Sequence, residues 1–423
     1  MPGVGPTWIR TISLTGLLGL IMLLLPAHPA RGEITLHGFI QGNYSLNTAS
    51  ANPDGRDAKL AEERLQLKLE TDQGPLRLFV KSDLGWDHLE DQEVLELREG
   101  TLAYTAATWD LKLGRQMVTW GVGDLVFIND VFPKDYEAFF AGHPLEYLKK
   151  GVDGAKIGFY PEIASFEVIA IPRFTANHFP AATRFWLFDP LPGVSNRQTV
   201  EPGTSLENTE VAVRAYRDLA SFDLSLYGYR GFFRQPAMQP DDPAAPTRLT
   251  LWYPRLAVYG ASLQGSGLGG VVSLEGGYYD SRDDRAGNDP LIPNSQARFL
   301  LGYQRQFWED FTVGLQYYGE RMLDYGDYTA TLPSGMPTEK RLHDLVSIRL
   351  TQLLRHQTVK LSLFAFRGLS SADYLINPEV KYNLTDQLWL ALGANFFGSG
   401  EPWTQFGQLD RNDNVYFQTR YEF

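Results

Sequence analysis

The segment Asp413-Asn414-Val415-Tyr416-Phe417-Gln418-Thr419-Arg420-Tyr421-Glu422-Phe423 decides how the rest of the chain is read. Val415, Phe417, Thr419, Tyr421 and Phe423 fall on one side of an extended strand, and Tyr416, Gln418, Arg420 and Glu422 on the other, because successive strand side chains point to opposite faces. One face is oily, the other is wet, and the strand stops on an aromatic. This is the pattern expected of the closing strand of an all-β, transmembrane antiparallel β-barrel, with Tyr421 and Phe423 at the membrane closure. In hydrocarbon every backbone donor and acceptor needs a partner within the protein, and a sheet meets that demand only by pairing its last strand with its first.

The other end of the chain carries one basic residue, Arg10, an apolar core from about Ile12 to Leu25, then Pro26 and Ala30-Arg31-Gly32. That order predicts a secretory signal over residues 1–32 and a mature chain from Glu33, with Ala30 as the alternative cleavage point. Removing two arginines and no acids takes the formal charge from −12 to about −14. There is no cysteine, which argues against a disulfide-stapled domain, thiol catalysis and thiolate metal sites. No Pro/Ser-rich linker or shift of composition divides residues 33–423, so one domain is expected.

Strand-like segments of roughly ten to fourteen residues alternate with two kinds of connection. Tight turns are expected at 72–75, 106–108, 161–163, 218–221, 265–269, 308–310, 355–357 and 383–386, and long polar loops near 47–59, 87–92, 119–150, 174–206, 234–248, 280–294, 324–340, 368–373 and 399–412. Together they predict about 18 strands with both ends on the periplasmic side, or sixteen if the segments around 95–104 or 374–382 are not strands. Such strands are about twice the length usual in soluble β-proteins. Trp86, Trp109, Tyr160, Trp308, Tyr382 and Tyr421 fall toward strand ends, as interfacial girdles require.

If the apolar face meets lipid, the other face lines the interior. Arg77, Lys81, Lys112, Arg298 and Arg349 are among its candidate cations, with Arg64, Lys68, Lys156, Arg214, Arg255, Lys360, Lys381 and Arg420. Glu70, Asp83, Asp110, Glu167, Glu210, Asp223 and Glu275 are among its acids. The cations outnumber the acids, so a slightly basic wall is expected in an acidic protein, with the excess acid in outer loops such as Asp241-Asp242 and Asp280 to Asp289.

The loop at 119–150 is too apolar to trail in water: Leu125, Val126, Phe127, Ile128, Val131, Phe132, Tyr136, Phe139 and Phe140 need burial. It is expected to fold inward as a constriction, with Asp130 capping a short helix that begins near Pro133. Its acids Asp124, Asp130, Asp135, Glu137 and Glu146 are expected to face wall arginines across the pore. The alternative role is a lid or packing element at the rim. The loop at 174–206, rich in aromatics from Phe179 to Phe188, is expected to cover the mouth or to offer an aromatic surface.

The stretch Gly114-Arg115-Gln116, followed by Trp120-Gly121, resembles the outer-membrane channel families that include the alginate-export type of 18-stranded barrel and related porin-like proteins. The resemblance rests on these few residues and on the architecture of the mature chain. It implies transport rather than catalysis, and it implies a strand leading into a long loop. The residues themselves place Arg115 as a cation at a glycine-marked bend before the constriction.

The histidines of the expected mature chain, His37, His88, His143, His178, His343 and His356, show no zinc or nucleophile-elbow spacing. Asp280, Asp283, Asp284 and Asp289 miss the calcium-loop pattern, and Gly265, Gly267 and Gly269 read as a turn. No catalytic residue, metal site, cofactor or nucleic-acid partner is expected. The expected function is a passive outer-membrane channel for small polar, anion-leaning solutes. The expected partners are membrane lipid and lipopolysaccharide, the barrel-assembly machinery at the C-terminal strand, and the solute. The alternative is a scaffold or export barrel around a periplasmic partner such as an electron-transfer cytochrome.

Overall fold

The computed structural model describes residues 34–398 and 401–423; the secretory segment and the mature start expected from sequence lie outside the described residues. The strands are β1 (Ile34–Asn47), β2 (Ala58–Gln73), β3 (Leu76–Asp87), β4 (Gln92–Thr105), β5 (Trp109–Gln116), β6 (Val152–Phe159), β7 (Ser165–Ile171), β8 (Asn196–Val200), β9 (Glu210–Leu219), β10 (Phe222–Phe232) and β11 (Ala237–Pro240). They continue with β12 (Arg248–Trp252), β13 (Arg255–Gly267), β14 (Gly270–Ser281), β15 (Gln296–Trp308), β16 (Phe311–Met322), β17 (Leu342–Leu354), β18 (Val359–Gly368), β19 (Tyr374–Asn383), β20 (Leu388–Gly398) and β21 (Asn414–Glu422). Two short helices, α1 (Tyr136–Ala141) and α2 (Tyr325–Thr331), lie in long connections.

Eighteen strands form one sheet in which β1 pairs antiparallel with β2 on one side and with β21 on the other, so the sheet is closed. The remaining three make a small separate sheet, with β12 antiparallel to β11 and parallel to β8. The segments around 95–104 and 374–382 are full strands, β4 and β19. Tight turns join β2 to β3, β4 to β5 and so on around one rim, and the long loops leave from the other. Several turns reverse through a left-handed residue, Gly74 at φ 60°, Ala220 at 57° and Asp310 at 60°, the conformation that lets a short loop follow the twist of its strands.

The distribution of burial is the reverse of that in a soluble protein. In β21 the oily residues Val415, Phe417 and Tyr421 are exposed, while Tyr416, Gln418 and Arg420 are buried. Gln41, Asn43, Gln66 and Asp83 are at most 1% exposed, whereas Leu36, Ile40, Leu226, Leu301 and Leu392 are all more than half exposed. Only a surface meant for lipid carries its leucines outward and its amides inward. Trp86, Tyr160, Trp308, Tyr382 and Tyr421 are exposed near strand ends, at the depth where amphipathic rings sit between hydrocarbon and headgroup.

Inside, one apolar cluster joins the 119–150 segment to the walls: Trp120, Ile128, Phe132 and Phe140 pack with Ile169, Tyr229, Leu300, Phe364 and Phe397. The segment therefore folds into the barrel. Its helix starts later than the sequence predicts. Lys134 and Asp135 are extended, bridged to Lys149 and His178, so α1 begins at Tyr136. Asp135 is the cap, accepting from the Ala138 N–H at 2.8 Å. Asp130 cannot cap it, because its carboxylate holds Lys134 Nζ at 2.9 Å. Gly142 ends the helix at φ 91°, and a Cβ there would lie 2.5 Å from Tyr416 Cδ1.

The inside-out pattern predicts opposite tolerances on the two faces. Leu392→Arg, on the outward face of β20, should lower unfolding stability by about 2–4 kcal/mol if it sits near the midplane. Thr351→Arg, on the inward face of β17, should change it far less. Urea unfolding into lipid vesicles reads both.

Candidate functional site

Register shows which charges face the lumen, because residues directly opposite on paired strands share a face. Lys68 stands opposite Lys81, Lys112 opposite Lys156, and Lys360 opposite Lys381. Like charges so placed repel unless acids, water or counter-ions intervene. Lys81 has Glu99 at 3.8 Å and Lys156 has Glu167 at 3.1 Å. Lys360 and Lys381 have no carboxylate within 4.0 Å among the described residues, and Lys381 instead lies 3.9 Å above the Trp389 ring. Arg77 is at the short-turn mouth, paired with Glu70 and 3.9 Å from Asp72. Arg298 sits against the Tyr279 ring at 3.9 Å and pairs with Glu320 at 3.1 Å.

Arg115 departs from its expected position. Its register with Gly100 and Asp153 runs on unbroken from that of Leu113, which is exposed on the outside. Lys112 and Gln116 face inward, so Arg115 faces out. It pairs with Asp153 at 3.3 Å and does not reach the lumen. Arg255 is likewise turned outward, beside Glu207 at 2.8 Å.

The 119–150 segment makes a circuit inside the barrel, fastened at each turn of its path. Trp120 donates to Glu167 at 3.3 Å. Glu275 of β14 accepts from the backbone N–H groups of Val122, Gly123 and Asn129, at 2.8, 3.2 and 2.8 Å. Gly121, at φ 79°, passes so close to that carboxylate that a Cβ would lie 2.5 Å from Oε1. Asp124 binds Arg349 through both oxygens, a fork that fixes orientation as well as charge. Arg234, itself paired with Glu210, donates to the Val131 carbonyl at 3.0 Å.

On the far side, Asn395 and Asn414 donate to the Phe140 carbonyl at 3.1 and 3.0 Å, and Gln418 to that of Gly142 at 2.7 Å. Arg420 holds Glu146, and Arg98 donates to the Glu146 carbonyl at 2.9 Å. Of the five loop acids, Asp124 and Glu146 thus meet wall arginines. Asp130 stays within the segment on Lys134, while Asp135 and Glu137 are used by the neighbouring loop, the first at His178 and the second at the Ala181 N–H.

That neighbouring loop covers part of the mouth. Lys59, 1% exposed, donates to Asn52, the Arg184 carbonyl and Asn412 at 3.0, 2.9 and 3.0 Å. Arg184 pairs with Asp87 at 2.7 Å and with Glu90 at 3.0 Å. His178 Nδ1 lies 3.0 Å from Asp135, and the Asp135 hydrogen bond followed by the charges of Asp135 and Glu137 raises its pKa against burial and Lys150. Burial pushes the Asp135 carboxyl up, but His178 and the Ala138 N–H outweigh it and hold it below the usual range. His143, buried within the barrel 3.4 Å from Glu62, is pulled down by burial.

Sequence alternation missed several of these groups. Arg98 is the extra residue of a bulge, since Lys81 faces Glu99 and the next residue, Ser82, faces Leu97; a bulge shifts the period without a sequence signal. Arg234 is in a connection and Lys59 at a strand end, where the period of two carries no information. Asp280 is committed to Arg285 at 2.9 Å, and among the described residues no group of three His, Cys, Asp or Glu side chains is placed to hold a metal.

No family model matches the chain, and no curated protein matches it. Solved structures do. The chain is similar to OccD3 (OpdP) of Pseudomonas aeruginosa, 10% identical over 94% of this chain and 95% of that one, with a TM-score of 0.56. It is similar to OccK11 (OpdR) of the same organism, 10% identical over 92% and 96%, TM-score 0.55, and to OccAB2 of Acinetobacter baumannii, 10% identical over 92% and 98%, TM-score 0.55. Likeness at this identity establishes the fold: an 18-stranded membrane barrel.

Two outcomes follow. Glu275→Ala removes the acceptor of three loop N–H groups, bonds to a charged group being worth about 1.5–3 kcal/mol each; an external protease should then cut within 119–129, where the parent chain resists. The His178 clamp is fully present below the ordinary histidine value of about 6.5 and is lost as pH rises through its raised pKa; the Asp135 share is present above about 3.9 and lost as pH falls through its depressed pKa. By NMR, His178 should titrate above His143, and Asp135→Asn should lower the His178 midpoint.

Proposed function

We propose that this chain is a passive diffusion pore of the bacterial outer membrane for small polar solutes, with a preference for anions. The observation that carries this reading is three inward pairs of opposed lysines, Lys68/Lys81, Lys112/Lys156 and Lys360/Lys381, the last of them lining one of two cavities that the folded-in loop leaves open. One cavity of about 250 Å³ lies against β17 to β21, and a second of about 230 Å³ is walled by hydroxyl and amide side chains such as Ser273, Gln304, Gln316 and Thr351. Arg349 borders both. Inward cations replace part of an anion's hydration as it passes, and the loop limits its size. The likeness in fold to OccD3, OccK11 and OccAB2 supports the barrel this reading needs, and the preference for anions rests on the lysines alone.

The scaffold alternative fits less well, because a sheath needs a lumen free of its own chain and residues 120–146 cross this one, fastened on both sides. The alginate-export likeness at Gly114-Arg115-Gln116 adds no solute to the reading, since Arg115 faces outward beside Asp153. On this proposal the outward face meets lipid and lipopolysaccharide, and the assembly machinery engages the strand that ends at Phe423.

Reversal potentials of the refolded chain in planar bilayers across a salt gradient test it. Anion preference is expected. The double variant Lys360→Glu/Lys381→Glu should move the potential toward cations, and Arg115→Glu should leave it in place. A folded barrel that carries no current, or a parent chain that prefers cations, would overturn the proposal.

A further inference from the structure

The cavity against β17 to β21 holds two lysines with no carboxylate within 4.0 Å among the described residues. Four cations line it, and two are engaged: Arg349 by Asp124 and Arg420 by Glu146. Lys360 and Lys381, directly opposite each other, are not, and together they form a doubly positive rung on the side of the short turns. The next inward rung toward α1 pairs Ser362 with Glu379. Two residues along a strand span about 7 Å.

Glu379 is also uncommitted. Tyr416 donates to one of its oxygens at 3.1 Å, and the Asn377 amide donates to the Tyr416 hydroxyl at 3.1 Å. No cation lies within 4.0 Å of Glu379 among the described residues. An ionised carboxylate has about four acceptor sites, so most of its capacity faces the cavity. Beyond it, on the side of α1, the lining includes the half-buried Phe139 ring, while Phe364 is 3% exposed beneath Arg349. Along the cavity the order is therefore two lysines beside the Trp389 ring, one carboxylate, then Phe139.

We propose that this cavity is a binding site for zwitterionic α-amino acids with a large apolar side chain, a conclusion that rests on the pore reading above and names a solute class for it. The carboxylate lies between Lys360 and Lys381, relieving their mutual repulsion. The ammonium group lies at Glu379 and supplies the donor that this carboxylate lacks. The side chain rests on Phe139. A plain carboxylate of the same shape satisfies the lysines but leaves Glu379 unanswered and adds a like charge near it. A plain amine meets two lysines with nothing to offer them. The site therefore discriminates by the presence of both charges, because each uncompensated group in a partly dehydrated cavity costs binding energy.

The test compares three probes that share one ring and one chain length: phenylalanine, 3-phenylpropionate and 2-phenylethylamine. Each is added to single channels in planar bilayers, and its blockade dwell time is read. Phenylalanine should dwell roughly tenfold longer than either analogue, the factor expected from one charge-assisted contact. Glu379→Gln should bring phenylalanine down to the value of 3-phenylpropionate, and Lys381→Gln should shorten the dwell of both. Titration calorimetry of the detergent-solubilised barrel gives the same ranking without requiring conduction. Binding by a barrel that carries no current would keep the site and remove the pore. Dwell times for 3-phenylpropionate equal to or longer than those for phenylalanine would overturn the proposal in favour of an anion site. A conducting channel that none of the probes blocks, with no calorimetric binding, would remove the site altogether.

Discussion

The pairing of β1 with β21 is the constraint from which the rest of the molecule follows. The register runs from Phe39 against Glu422 to Asn47 against Asn414, and Gly38 and Phe423 exchange backbone hydrogen bonds at 3.0 Å in both directions. Gly38 has to be a glycine there, since a Cβ would lie 2.8 Å from Phe423 Cζ and closer still to the Gln66 carbonyl. An open edge in hydrocarbon would leave a row of unpaired N–H and C=O groups, each costing several kcal/mol. Closure removes that cost. It also commits one face of every strand to lipid and the other to an enclosed space, so the interior must be polar or filled by the chain itself.

This barrel does both, and the same strand serves both ends. β21 closes the sheet through its backbone and holds the inner loop through its side chains: Asn414 reaches the Phe140 carbonyl, Gln418 that of Gly142, and Arg420 the Glu146 carboxylate. Asn395 of β20 doubles the first of these contacts. Buried polar side chains are tolerable only when partnered, and here the loop's carbonyls are the partners. Without the loop, a patch of amides on the seam would lose them; without the seam, the carbonyls at the C-terminal end of α1 would lose their donors. The loop's opposite arm is fixed independently at Glu275 and Arg349. Attachment at two distant walls is why the segment crosses the lumen as a structural element and does not hang from one side.

Much of this was legible in the chain. The turns and loops follow from Gly, Asp and Pro between stretches of period two, and they divide the eighteen barrel strands as the structure does, whereas the small sheet of β8, β11 and β12 falls in and beside segments expected as loops. The inward set was harder to read, because alternation tells the two faces apart only while the phase is known. Lys112 and Arg115 are three residues apart, so on an unbroken strand they cannot share a face, and Arg115 goes outward. Arg98 escapes for the opposite reason, since the bulge at Lys81 and Ser82 breaks the phase of β4. Within the loop, composition called for burial, and the sequence reading of Asp130 as the helix cap failed because Lys134, four residues on, takes that carboxylate and Asp135 caps the helix instead.

On the proposed reading, an acidic chain can still offer a solute cations along its inner wall. Its formal charge is −12, yet much of the loop acid is spent locally. Asp283 accepts from the Arg255 N–H, Asp284 from those of Asn288 and Asp289, and Asp241 from those of Thr247 and Arg248. What remains on the outside is screened within about 8 Å at physiological ionic strength. On the proposed pore reading, a solute in the cavity against β17 to β21 lies beside Lys360 and Lys381, which line it, and the low-dielectric sheet around it focuses their field. On that reading the sign a solute meets depends on which charges register leaves facing inward, and not on the net charge of the protein.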